Sequence, residues 1–210
     1  QGVDAVLLCP ASSTHCEETL KKLQDASVPA IIVGADMRGF TCISCIHIDA
    51  VMSGFLAAEF MHYITPLFSQ SAVLIGNKDI REHIDKADSY VSKMKELRHP
   101  VTEVYETQDD PGLAYDITKN ILRTCPDIKG IYIATGNSVA VCKCLEDEQA
   151  CERISVVGTD IFDKMLPYID QHVISAVLFQ NPVLQGGLAI RALYKHISEH
   201  QPMPEHINIT

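Results

Sequence analysis

Short apolar runs alternate with longer stretches of helical period along the whole chain. Val3–Cys9 is apolar except for Asp4 and stops at Pro10, the pattern of a strand buried on both faces. Ser12, Ser13 and Thr14 offer N-caps for a helix that turns Leu20 and Leu23 inward and places Glu17 and Glu18 in its first turn. Ala30–Val33 and Ser44–Ile48 read as the next strands, separated by a polar turn over Asp36–Cys42. Asp49 then caps an expected helix over Ala50–Ile64, with Val51, Phe55 and Ala58 on its buried face, and Thr65-Pro66 ends it.

The alternation restarts with a strand at Ala72–Ile75, a helix from Ile80 to Leu97 and a strand at Val101–Tyr105. Pro111-Gly112 opens a helix in which Leu113, Ile117 and Ile121 recur at helical spacing. Strand Gly130–Ala134, helix Ser138–Glu148, strand Ile154–Val157, a short helix and strand Ile174–Phe179 follow. A long helix over Pro182–His200 carries proline at its first position, where the missing N–H costs nothing. His206–Ile209 is the last strand. Such strict alternation predicts an α/β fold of parallel sheets covered by helices on both sides. The natural seam between two lobes falls near Pro66–Ser71.

Two strands end in a polar residue. Asp160 follows Ile154–Gly158, and Gln180 follows Ile174–Phe179. Ligands of open parallel sheets bind outside the carboxyl ends of the strands, so an acid and an amide placed there are candidates to grip hydroxyl groups. The plainer alternatives are an N-cap role for Asp160 before a helix at Ile161, and backbone satisfaction at a crossover for Gln180.

The 210 residues allow one large domain or two lobes of similar size. A net charge of −10 without a basic cluster excludes nucleic-acid or anionic-membrane binding by this chain alone, and no apolar run is long enough to cross a bilayer. The eight cysteines lie mostly within or beside apolar segments, as small buried hydrophobes do, which points to reduced thiols in a cytoplasm. Cys42-Ile43-Ser44-Cys45 has redox-like spacing but precedes a strand, not a helix N-terminus, and no second pair completes a zinc site. Cys142 and Cys144 are two apart and are expected on different helix faces. His196 and His200, with Glu199, have metal-ligand spacing, but histidines near a helix C-terminus are also favoured by the dipole. Dinucleotide, phosphate-loop and nucleophile-elbow motifs are all missing, so no enzyme activity, cofactor or metal is expected.

The motif order resembles the effector-binding domain of the lactose-repressor/galactose-repressor family, whose two-lobed fold is shared with periplasmic sugar-binding proteins. The segments that carry it are 2–12 (GVDAVLLCPAS), 28–33 (VPAIIV), 46–61 (IHIDAVMSGFLAAEFM), 130–137 (GIYIATGN), 156–160 (VVGTD) and 174–193 (ISAVLFQNPVLQGGLAIRAL). This resemblance implies two Rossmann-like lobes, residues 1–67 with 182–202 and residues 68–181 with 203–210, the first lobe being incomplete. A sugar-like effector would bind in the interlobe cleft, held by Asp160, Gln180, Asn137, Arg81 and Asp36. It also implies a cytoplasmic, homodimeric transcriptional regulator that meets DNA only through a helix-turn-helix absent from this chain. The sequence departs from the family pattern in three places. Gly34 follows its strand where an acid is common, with Asp36 two positions on; Arg81 is displaced relative to Ser89-Tyr90; and Ser138 follows Asn137 in place of an aspartate. The alternative on the same fold is an extracytoplasmic sugar-binding protein of a transporter. An enzyme built on a doubly wound fold is the third possibility.

Overall fold

The computed structural model describes residues 2–10, 16–34 and 43–209. The expected caps at Ser12–Thr14, the turn over Asp36–Cys42 and the candidate Asp36 lie outside the described residues. The chain divides into two compact units. One comprises Gln1–Asp49, Asp79–Glu82 and Gln180–Thr210; the other comprises Ala50–Lys78 and His83–Phe179.

The first unit is a parallel sheet in the order β1-β2-β3-β9, from β1 (Val6–Leu8), β2 (Ala30–Val33), β3 (Ile43–Ile48) and β9 (His206–Ile209). Its central strands are apolar at consecutive positions because each face meets a helix. Ala30, Ile32, Ile43 and Cys45 pack with Leu20 of α1 (Glu17–Asp25). Ile31 and Ile46 pack with Ala189 of α7 (Pro182–Glu199).

The second unit is a parallel five-stranded sheet in the order β5-β4-β6-β7-β8. Its strands are β4 (Gln70–Ile75), β5 (Val101–Glu106), β6 (Ile128–Ile133), β7 (Ser155–Thr159) and β8 (Ile174–Leu178). Alternate residues again divide between two cores. Leu74, Ile131, Ile133 and Val156 meet α4 (Pro111–Thr124), α5 (Ser138–Asp147) and Met165, which ends a 3-10 turn before α6 (Leu166–Asp170). Val73, Ile75, Tyr132 and Val157 meet α2 (Ala50–Ile64) and α3 (Arg81–Glu96). Glycines stand at two of these approaches. A Cβ on Gly54 would collide with the Lys86 backbone of α3, and one on Gly130 would collide with Met61 of α2.

Several expectations are corrected. β9 pairs in parallel with β3 (Cys45↔His206, Ile46↔Ile207), so 206–209 belongs with the first sheet rather than the second lobe. The α2 helix packs on the second sheet, so the seam falls at Asp49/Ala50 rather than near Pro66–Ser71. Its buried residues are Ser53, Gly54, Ala57, Ala58 and Met61, whereas Val51 and Phe55 are exposed. Small side chains bring the helix close to the sheet there, and an apolar-all-round helix has no period by which to choose its face. Cys142 and Cys144 of α5 are both wholly buried in one cluster between sheet and neighbouring helices, and burial pushes their thiols up to about 12 and about 11.

Two stability results follow from local contacts. Asp110 caps α4, its carboxylate accepting from Leu113 N at 2.7 Å. Asp110→Ala is expected to cost about 1 kcal/mol, a fall of about 2–4 °C in melting temperature by calorimetry. His99 is 2% exposed, faces the Ser69 carbonyl through Nδ1 (3.2 Å), and meets His62 Nδ1 through Nε2 at 2.9 Å. Burial lowers its pKa, the Ser69 carbonyl opposes that, and the charge of His62 adds to the lowering. The unfolded chain therefore takes up this proton first as pH falls. The stabilising contribution is whole above the ordinary histidine value, about 6.5, and is lost as pH drops from there towards the depressed folded value. A melting temperature that falls over this range in the native protein, with a flatter slope in His99→Gln, is the expected result.

Candidate functional site

In the second unit the chain leaves β4 towards β5 on one side, while β6 lies on the other. The carboxyl ends of β4 and β6 therefore flank a topological switch point, the position where open α/β sheets bind ligands. After β4 the backbone turns outward. Asn77 N donates to His83 Nδ1 and Lys78 N to Glu106 Oε1, both at 2.9 Å. After β5, Thr107 donates to the Ile75 carbonyl from its backbone N (2.8 Å) and its Oγ1 (2.9 Å). Gln108 and Asp109 follow with φ of 52° and 54°, left-handed values that turn the chain back over the sheet edge.

Two bonds cross this edge from the loop after β6. Thr135 Oγ1 donates to the Asp109 carboxylate, and the buried Asn137 Nδ2 donates to Thr107 Oγ1 at 2.9 Å. Because β4 lies between β5 and β6, both bonds bridge the end of β4. A Cβ at residue 76 would fall on the Asp109 carboxylate, so any larger residue there would displace that side chain. The Asn137 amide is thereby held by the loop that follows β5.

Asp160 ends β7 beside this group. Thr159 Oγ1 ties β7 to β6 through the Ile133 carbonyl (2.8 Å), and Asp160 N donates to Leu178 O (2.9 Å), extending the contact with β8. Asp160 itself is in left-handed backbone, φ 59°. It does not cap a helix at Ile161, because the next helical turn begins at Asp163 after Phe162. The half-buried carboxylate stands at the strand end, on the strand next to that of Asn137. Asp109, Thr135, Asn137 and Asp160 thus offer acceptors and donors along one sheet edge, a set suited to the hydroxyls of a small polar ligand.

The other candidates belong to the first unit. Gln180 is half-buried, and its carbonyl accepts from Gln185 Nε2 at 2.8 Å. Capping of α7 falls to Asn181, at φ 53°, whose side chain accepts from Leu184 N. Arg81 is exposed at the first position of α3, in the segment Asp79–Glu82. Sequence reasoning missed Thr107, Asp109 and Thr135. Each follows a strand by one to three residues, the criterion that singled out Asp160 and Gln180. Among the described residues no group of three or more His, Cys, Asp or Glu is placed to hold a metal ion. His196 Nδ1 instead lies 2.8 Å from the Gln201 carbonyl.

Residues 1–201 match a family model described as "Periplasmic binding protein domain". No curated protein matches the chain. Among solved structures it is similar to a glucose-galactose binding protein from Geobacillus stearothermophilus, at 16% identity over 99% of this chain and 75% of that one, TM-score 0.90. It is similar also to the periplasmic component of an ABC-type sugar transport system from Hahella chejuensis, at 17% identity over 100% and 77% of the two chains, TM-score 0.92. A third is an ABC transporter periplasmic solute binding protein from Actinobacillus succinogenes 130z with bound D-allose, at 20% identity over 99% and 76%, TM-score 0.90. At such identities the likeness is one of fold.

Proposed function

Because the chain belongs to the periplasmic binding protein domain family, we propose that it binds a small sugar or sugar-like molecule, without turnover, at the carboxyl edge of the β4–β8 sheet. The observation that carries this reading is Asp160, held in left-handed backbone at a strand end beside the bridged loops of Asp109, Thr135 and Asn137. Carboxylates accept from sugar hydroxyls; Asn137 keeps a second amide N–H to donate, while Thr135, whose proton goes to Asp109, keeps its oxygen as an acceptor. The finer proposal is a solute-binding protein that delivers its sugar to a transporter. It is supported by the nature of the fold neighbours, among them one with D-allose bound.

The second reading, the effector-binding part of a cytoplasmic, homodimeric regulator, is favoured by the cysteines. Cys9 carries an exposed free thiol and Cys142 and Cys144 buried free ones, as in a reducing compartment. In that case DNA is met through a helix-turn-helix outside this chain. A thermal-shift screen of monosaccharides tests the shared part: a saturating binder raises the melting temperature through mass action. Flat curves for all sugars would count against both readings. Stimulation of a transporter's ATPase by the loaded protein separates the first reading from the second, whose signature is sugar-dependent release of operator DNA by the full-length polypeptide.

A further inference from the structure

The α2 helix buries one face of small residues on the second sheet and turns a second apolar face outward. Met52, Leu56, Phe60 and Tyr63 recur at helical spacing along it and are 49%, 40%, 44% and 78% exposed. The turn beyond adds Leu67 at 67% and Phe68 at 64%. Phe68 holds its position with φ 63°, a left-handed conformation costly for an aromatic residue, in a turn closed by Ser69 N donating to Pro66 O at 3.1 Å. At about 200 Å² for a fully exposed large side chain, these six together expose on the order of 700 Å² of apolar surface. In sum that approaches the roughly 800 Å² that each partner buries in a standard protein interface.

From this we infer that the outward face of α2 is a self-association surface, paired with the same helix of a second copy of this chain. The stripe is complementary to itself. An antiparallel two-fold pairing about its midpoint sets Met52 against Tyr63 of the other copy and Leu56 against Phe60, so that a flexible side chain meets an aromatic ring in every pair. Within α2 itself, charge does not oppose the contact. The single acidic residue of α2, Glu59, is paired with Lys93 at 3.0 Å, so two chains of net charge −10 can meet here without burying a free carboxylate. The same overall charge disfavours an anionic lipid surface as the occupant. This inference does not depend on the ligand reading.

The test is sedimentation equilibrium of the full chain and of two exposed-face variants, Leu56→Lys and Phe60→Glu, with circular dichroism and melting temperature as folding controls. A wild-type dimer is expected. Each variant alone should self-associate on the order of a hundredfold more weakly, since a buried unpaired charge is not tolerated. Mixing the two should restore a heterodimer, because the antiparallel register sets lysine against glutamate. A wild-type chain that stays monomeric, or a dimer insensitive to both variants, overturns the proposal; so does a mixture that fails to recover although both variants are folded. Protection of the α2 face in the monomer by another segment or protein would likewise overturn it.

Discussion

Gly54→Ala should be among the most damaging single-methyl changes in this chain. The added Cβ would fall inside the van der Waals envelope of the Lys86 carbonyl and 3.1 Å from the Lys86 Cα. Backbone atoms inside a helix cannot rotate aside, so α2 and α3 must separate. That loosens the cluster formed by Ala57, Ala58, Met61, Ala87, Tyr90 and Met94 over the sheet. Overpacking usually costs about 1–3 kcal/mol, and with backbone as the obstacle the upper end applies. In a chain of this size that is a fall of about 6–12 °C in melting temperature. Gly186→Ala is the control. It lies in α7 with nothing within 4 Å of an added Cβ, and alanine there should hold or raise stability by up to about 1 kcal/mol. Equal melting curves for the two variants would refute the close α2–α3 contact.

The second large effect concerns binding. Asp160→Ala is expected to weaken the sugar found by thermal-shift screening by about 10- to 150-fold in Kd, the loss of a charged hydrogen bond of about 1.5–3 kcal/mol. Left-handed backbone at φ 59° complicates alanine, which pays a conformational cost there that asparagine does not. Asp160→Asn therefore separates the two contributions. It keeps the backbone preference and one acceptor oxygen, so its unliganded melting temperature should match wild type while affinity still drops about tenfold. Calorimetry giving wild-type affinity in both variants would remove Asp160 from the site. The same titration on Asn137→Ala and Gln180→Ala measures what each of those residues contributes.

Much of the architecture was legible because it rests on local chemistry. Continuous apolar runs such as Ala30–Val33 and Ala72–Ile75 mark strands covered on both sides. Pro111 and Pro182 mark helix starts, and both stand at the first position of observed helices. Asp160 stood out as a candidate because a strand's carboxyl end can be located by counting along the sequence. The grouping of Thr107, Asp109 and Thr135 was not legible, because it depends on a loop reversal at Gln108-Asp109 and on bonds across the end of a neighbouring strand. The capping role of Asp110 is equally local, an acid one position before the proline that opens the helix.

By itself, the amino-acid order determined the succession of strands and helices and the parallel α/β class. Backbone hydrogen bonds and side-chain period act over a few residues, and those are written in sequence. Tertiary structure alone decided which sheet receives α2, which strand receives β9, and which hydroxyls and carboxylates share the edge beside Gly76. Each of those depends on contacts between residues far apart in the chain. An apolar-all-round helix, or a short apolar strand, fits more than one partner until close packing selects one.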